Sequence, residues 1–441
     1  MATIGNPEVD PQSGIGAAAA RVGRYRWVIC GLLFAATAIN YVDRQMIGLL
    51  KPLLSQDLHW SENDYATIVF WFQTAYALGY LAFGKVVDWI GARMGYAAAV
   101  VIWTIAHVAH GGVYSVSQFA MARFGLGIGE SGNFPGGVKA VTNWFPARER
   151  AFAIGIFNAG SNVGAITAPL LVWLLVPLIG WRGTFVATGI LGVVWVIAWL
   201  AFFRDSPRDH ASVTTAEADF IEQDPADPVV KVSWLKLLRQ RETWAFALAK
   251  FFIDPIWWFY LFWLPSYLGK QYNLDLLHWS TPTAVIALAG IYLISDLGSV
   301  AGGWMSSRMI AAGATVNRAR KLTMLICAIC VLPVLFATSI SNLWVSVGII
   351  GLAAAAHQAF SANVYALPGD LFPRYANGSV VGIGGTLGAF GGMIFSLHAG
   401  DVLQRLGTYT PLFALAGAAY FLALLSVHLL SPRLARNDSA L

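Results

Sequence analysis

The chain has 441 residues, of which 57% are hydrophobic and only 12% charged. Soluble domains carry about 25% charged residues, so a water-solvated globule of this length is excluded and lipid must be the solvent. Twelve apolar spans of about 20 residues consume roughly 240 residues. That leaves short loops, two tails and no sizeable extramembrane domain, which excludes most enzymes. The net charge of +5 is scattered over short hydrophilic breaks, and no basic run tracks phosphates, so nucleic acid is excluded as a partner.

Residues 1–24 are small and polar, without the apolar core of a cleaved signal, and read as a cytoplasmic tail. Apolar runs follow at 25–49, 65–87, 96–114, 118–144, 151–175 and 184–203. A polar, proline-containing stretch at 204–243 reads as a cytoplasmic linker. The pattern resumes at 244–267, 281–305, 322–340, 344–367, 380–403 and 410–430, and a short cytoplasmic tail closes the chain at 431–441. Lipid offers no partner to backbone polar groups, so every run must be a helix. The expected fold is an all-α integral membrane protein: twelve transmembrane helices in two six-helix bundles, 25–203 and 244–430. With the N-terminus inside, 20 Lys and Arg fall on cytoplasmic segments and 4 on periplasmic ones, which places both termini in the cytoplasm. Cys30, Cys327 and Cys330 lie in apolar stretches and imply no disulfide framework. The CxxC made by the last two has no further Cys or His ligands beside it, so no metal site is expected.

Arg44, Arg123, Lys139 and Lys250 fall inside spans and need a reason to be there. The first span contains Asn40, Tyr41, Val42, Asp43 and Arg44, and the fourth contains Arg123 and Glu130. An ionised side chain at mid-membrane costs about 2.5 to 3.5 kcal/mol on insertion scales. Four such groups in two spans exceed what packing needs and mark an ion or substrate path; the plainer alternative is an inter-helical ion-pair network. Arg123 and Glu130 are seven residues apart and share a helix face. The glycines at 125, 127 and 129 between them mimic a dinucleotide loop, but no strand precedes them, so they read as a close helix crossing, and Pro135 breaks the helix locally. His107 and His110 lie near the outer end of the third span, where water is in reach, and receive no role. In the fifth span Gly160 and Gly164 form a packing face, while Asn158 and Ser161 share another suited to polyols. In the seventh, Asp254 shares a face with Trp257 and Trp258, a set that matches the hydroxyls and C–H face of a sugar ring. The tenth span carries His357, Gln358, Ser361, Asn363 and Tyr365, the composition of a cavity wall.

The break after the second span reads Gly84, Asp88, Gly91 and Arg93, with Trp89 beside the acid, and a decayed copy at Gly303 to Arg308 keeps a glycine and an arginine. In this pattern the chain resembles the major facilitator superfamily, whose loop of this form latches the two halves in one state; Gly84, Asp88, Gly91, Arg93 and Arg308 are then the latch. Together with residues 40–44, 123–135, 254–265, 306–321 and 355–363 it resembles the anion:cation symporter branch, and within it bacterial hexuronate transporters, over 24–432. The resemblance implies that Arg44 clamps a substrate carboxylate while Tyr41, Tyr76, Asn158, Ser161, Gln358, Ser361 and Asn363 reach its hydroxyls. It also implies that Asp43 and Glu130 carry protons and that Arg123 pairs with ionised Asp43. The expected function is proton-coupled uptake of a monoanionic hexuronate, galacturonate or glucuronate, by a monomer in the bacterial inner membrane, with protons as coupling ion and no other cofactor. The alternatives are another organic anion, an aldonate or aromatic acid, or a transporter-like sensor without flux.

Overall fold

The computed structural model describes residues 23–223, 233–274 and 282–434. Among them all regular structure is helical: α1 (Tyr25–Asp57), α2 (Glu62–Ala109), α3 (Val116–Ser131), α4 (Asn133–Trp144), α5 (Ala147–Phe202), α6 (Thr215–Ile221) and α7 (Trp234–Leu238). The second half supplies α8 (Arg241–Phe262), α9 (Leu264–Tyr272), α10 (Thr283–Ala311), α11 (Val316–Val331), α12 (Leu343–Leu371), α13 (Arg374–Leu406) and α14 (Thr410–Leu430). Nine helical stretches among the described residues are long and apolar enough to cross a membrane.

Two of those are far longer than one crossing. At 1.5 Å per residue, about 20 residues span the hydrocarbon, whereas α2 has 48 residues and α5 has 56. Each contains one glycine with positive φ, Gly91 (φ 83°) and Gly180 (φ 66°). A non-glycine residue is disfavoured there because Cβ crowds the carbonyl oxygen. These glycines fall in the gaps between apolar runs that the sequence marks. Proline and glycine also interrupt the fourth and seventh runs: α3 gives way to α4 at Gly132, and α8 to α9 at Trp263, one residue before the Leu264–Pro265 start of the next helix.

The polarity of the molecule is inverted relative to a soluble protein. Exposed positions include Ile197, Leu297 and Val300, while Asp43, Arg44, Arg123 and Glu130 are buried. Small residues let the inner helices touch: a Cβ on Gly160 or Gly164 would collide with the α1 backbone at Phe34 and Ala38, which is how α1 and α5 come close enough to seal the first half. The stretch expected as a plain linker is folded in its first part. Arg26 of α1 reaches Glu149 at 2.8 Å and Glu217 of α6 at 3.2 Å, and Tyr25 Oη lies 3.0 Å from His210 Nε2. Burial and the nearby Arg204 cation hold the His210 imidazole below its ordinary pKa, so it is neutral at neutral pH. The middle of the expected linker, 224–232, lies outside the described residues.

Candidate functional site

Arg44 occupies the interior of α1 with 3% of its surface exposed. A buried guanidinium demands a counter-ion and acceptors, and two neighbours supply them. Nε donates to Glu130 Oε2 at 2.8 Å, and Nη2 to Asn40 Oδ1, one turn back, at 3.0 Å. Aromatic rings surround it: Tyr41 at 4.7 Å, Tyr76 at 4.9 Å, Trp258 at 5.4 Å and Phe72 at 5.9 Å from the guanidinium carbon. Trp258 belongs to α8 and the others to α1 and α2, so the cage is assembled from both halves of the chain. Cations over ring faces gain electrostatic attraction that grows as water is excluded.

One residue earlier on α1, about 100° round the helix, Asp43 points elsewhere. It is fully buried, and Oδ1 lies 3.2 Å from His107 Nε2. Arg123, expected to pair with Asp43, donates from Nη2 to the Arg44 carbonyl at 2.9 Å and packs 5.0 Å over Phe72. His107 and His110 depart from expectation: both are buried completely, not open to water at the outer end. The physical reason is the aromatic packing of α3 and α5, where Phe119 and Phe185 lie 5.3 Å and 5.0 Å from the His110 ring and close it off.

The two halves meet at one end. Tyr65 Oη donates to Phe262 O at 2.7 Å, Glu62 N to Gln404 Oε1 at 3.1 Å, Thr74 Oγ1 to Met393 Sδ at 2.9 Å and Ser396 Oγ to Gln73 Oε1 at 2.9 Å. All four involve residues 62–74 at the start of α2. At the opposite end Asp88 pairs within its own half, with Lys139 at 2.9 Å.

A family model described as Major Facilitator Superfamily matches residues 33–396. The chain belongs to the major facilitator superfamily. It is a multi-pass inner-membrane transporter and not an enzyme. Similar curated proteins include the hexuronate transporter of Escherichia coli K12, 30% identical over 398 residues that cover 88% of this chain and 90% of that one. The galacturonate transporter of Dickeya chrysanthemi is 32% identical over 285 residues, 64% of this chain and 81% of that one. Among solved structures, a bacterial homolog of the human lysosomal transporter Spinster, in an inward-facing and occupied conformation, matches with TM-score 0.72 and 17% identity over 92% of this chain and 97% of that one.

Within this superfamily fold the expected site residues divide. Arg44, Tyr41, Tyr76 and Trp258 come together with Glu130 and Arg123, while Asp43 turns to His107. Trp257 stacks on His357, with ring centroids 5.3 Å apart, and His357 Nδ1 is tied to Tyr420 Oη at 2.8 Å. Ser161 Oγ donates to Asn158 O at 2.7 Å, Asn158 is exposed, Ser361 is buried and Gln358 half-buried. Asn363 goes elsewhere: its amide donates to Gly302 O at 3.3 Å and Ala359 O at 2.9 Å, joining α12 to α10. Of the residues expected to form a latch, Gly91 makes the break and Arg93 donates from Nη2 to Leu200 O at 2.7 Å, while a Cβ at Gly84 would meet nothing within 4 Å. Arg308 lies over Trp304 at 5.1 Å, and Arg320 of α11 pairs with Asp370 of α12 at 3.0 Å.

Lys250 is one of the in-span cations that sequence reasoning left without a function. Its Nζ is 2.9 Å from Asp254 and 2.6 Å from Tyr365 Oη, so α8 and α12 carry a second buried cation with its own acid. Tyr365 is nonetheless 52% exposed, so the hydroxyl partner of this buried cation reaches an open surface. The signal was present as a Lys and an Asp four residues apart in an apolar helix, a spacing that puts them on one face.

Proposed function

We propose that the chain crosses the membrane twelve times, as bundles 25–203 and 244–430 with both termini cytoplasmic, and imports a hexuronate together with protons by alternating access. The glycine breaks in α2 and α5 and the excess of basic residues on one set of loops support that topology. The cargo class is supported by the hexuronate and galacturonate transporters among its relatives.

The observation that carries the mechanism is the counter-ion of Arg44. A buried cation held at 2.8 Å by a titratable acid, Glu130, is neutralised only while that acid is ionised. An arriving carboxylate takes the guanidinium fork through two charge-assisted bonds. Glu130, released from its cation in a low-dielectric site, then takes a proton, because a neighbouring anion and burial both favour its neutral form. Asp43 serves as the second proton carrier. Tyr41, Tyr76, Asn158, Ser161, Gln358 and Ser361 address hydroxyls, and Trp257 and Trp258 offer ring faces to the sugar C–H groups. Substrate and proton binding are thereby cooperative. Lys250 favours a second reading, in which the cargo is a sugar diacid whose other carboxylate exchanges with Asp254 in the same way.

Thermal unfolding of the purified protein with a ligand panel tests this. A ligand at about 100 times its Kd stabilises the native state by about 2.7 kcal/mol. Galacturonate or glucuronate is expected to raise the melting temperature and galactose to leave it unchanged; a diacid that outperforms both supports the second reading. Equal stabilisation by galactose and galacturonate contradicts the anion site.

A further inference from the structure

We infer that protons reach Asp43 through a buried histidine pair, His110 and then His107, which forms the outer arm of the coupling pathway; this rests on the proton coupling proposed above. His107 lies in the last turn of α2, and His110 opens the 3-10 turn His110–Gly112 that follows. Neither ring has exposed surface. The walls are Asp43 of α1, Phe119 and Arg123 of α3, and Phe185 and Thr188 of α5. Arg182 of α5 caps the turn from outside by donating to Gly111 O and Val113 O at 3.0 and 2.8 Å. The charged groups around the pair are therefore Asp43, Arg123 and, at the mouth, Arg182.

Hydrogen bonding fixes where the ring protons sit. Thr188 Oγ1 gives its own proton to Thr184 O at 2.8 Å, so towards His107 Nε2, 2.8 Å away, it acts as the acceptor. His107 thus carries its proton on Nε2, bonded to Thr188, while Asp43 Oδ1 lies 3.2 Å from the same nitrogen without a hydrogen bond to it. Its Nδ1 is a bare lone pair, buried and without a partner. His110 Nδ1 lies 2.7 Å from Ala106 O, which can only accept, so the proton of His110 is on Nδ1 and its Nε2 is likewise a buried, unpartnered lone pair. The ring centroids are 6.2 Å apart. Most buried polar atoms in proteins are hydrogen-bonded, yet here two imidazole lone pairs, both Asp43 oxygens and Arg123 Nε and Nη1 have no bonded partner in one cluster.

They are the positions a relay needs. Once the Phe119 and Phe185 rings that close off His110 move aside, a proton from outside binds His110 Nε2 and passes to His107 Nδ1 through one bridging water. His107, now protonated on both nitrogens, releases its Nε2 proton to Asp43 Oδ1 over 3.2 Å. One N–H bond breaks and one O–H bond forms; Asp43 becomes a neutral carboxylic acid, and His107 is left protonated on Nδ1. The arm resets when one water takes the Nδ1 proton as another gives a proton to Nε2, so one N–H bond breaks, one forms, and the Nε2 tautomer returns.

The test uses full-length protein in proteoliposomes, with two readouts: substrate exchange, in which no net proton crosses, and uptake driven by an acid-outside pH gradient. His107→Gln keeps an amide N–H for Thr188 and Asp43 but cannot relay a proton, so it separates relay from positioning. His110→Gln leaves Asp43 uncontacted and stands in if the first variant does not fold. The ratio of gradient-driven uptake to exchange is expected to fall about tenfold or more in each variant, within the range of a lost proton-transfer group. A wild-type ratio in either folded variant overturns the relay. If the wild type itself shows no gradient-driven uptake, the proton-coupling reading falls and the relay with it; if the wild type is driven and a variant matches it, the relay alone falls.

Discussion

Arg44 is bound to an acid before any substrate arrives, and that decides what its replacement does. Arg44→Lys keeps the charge but loses the planar fork. Losing one charge-assisted bond is worth about 1.5 to 3 kcal/mol, so hexuronate affinity is expected to drop about tenfold or more, as read by calorimetric titration. Glu130→Gln strands the buried guanidinium that Glu130 holds at 2.8 Å, and breaking such a pair costs about 3 to 5 kcal/mol. The empty variant is therefore expected to melt earlier than the wild type, and to gain more from galacturonate, whose carboxylate replaces the missing counter-ion. Equal ligand-induced shifts in variant and wild type would contradict the exchange of counter-ions. Asp43→Asn mimics the protonated acid, and proton-driven accumulation should disappear while substrate exchange survives. The sequence exposed these charges because ionisable groups in an apolar span are costly and need a purpose. It did not expose their pairing, which depends on how far each helix is rotated about its axis: neighbours 43 and 44 end up against different partners, His107 and Glu130. His107 and His110 were passed over because a neutral imidazole near a span end looks like a solvated group.

At the scale of elements, the breaks between apolar runs were legible from composition, and their geometry was not. Gly91 and Gly180 carry the positive φ values that divide α2 and α5. A Cβ at Gly91 would also stand 2.8 Å from Asp205 Oδ2, so that glycine serves both the turn and the approach of the chain leaving α5. Close packing gives a cleaner test on α10. A Cβ on Gly298 would collide with the α12 backbone at Ala355, whereas one on Gly303 would meet nothing within 4 Å. Gly298→Ala is expected to cost about 1 to 3 kcal/mol through overpacking, and Gly303→Ala to be neutral or slightly stabilising as a better helix former. Melting temperatures of the two variants check this, and comparable losses would count against the packing account. Asn363 shows the limit of pattern reading: its neighbours in α12 suggested a cavity wall, but the bare Gly302 backbone opposite draws its amide into the helix contact.

For the whole molecule, an all-helical membrane fold of the major facilitator kind was legible in the sequence, while the state of the halves was not, since one sequence must support both openings. Here the halves are joined through Glu62, Tyr65, Gln73 and Thr74 of α2, and Asp88 is engaged by Lys139 of its own half. Combining Tyr65→Phe with Gln73→Ala removes two of those cross-links and should shift the population towards the opposite opening. Spin-label distances across that end should lengthen, and no change would assign the closure to apolar packing alone. The central claim is that a hexuronate and protons move together through this protein. It is tested most directly by labelled galacturonate uptake into proteoliposomes holding the purified chain, under an acid-outside gradient. Accumulation above the outside concentration, abolished by a protonophore and by excess glucuronate but not by galactose, is the expected result. Uptake that only equilibrates, indifferent to the gradient, would contradict it.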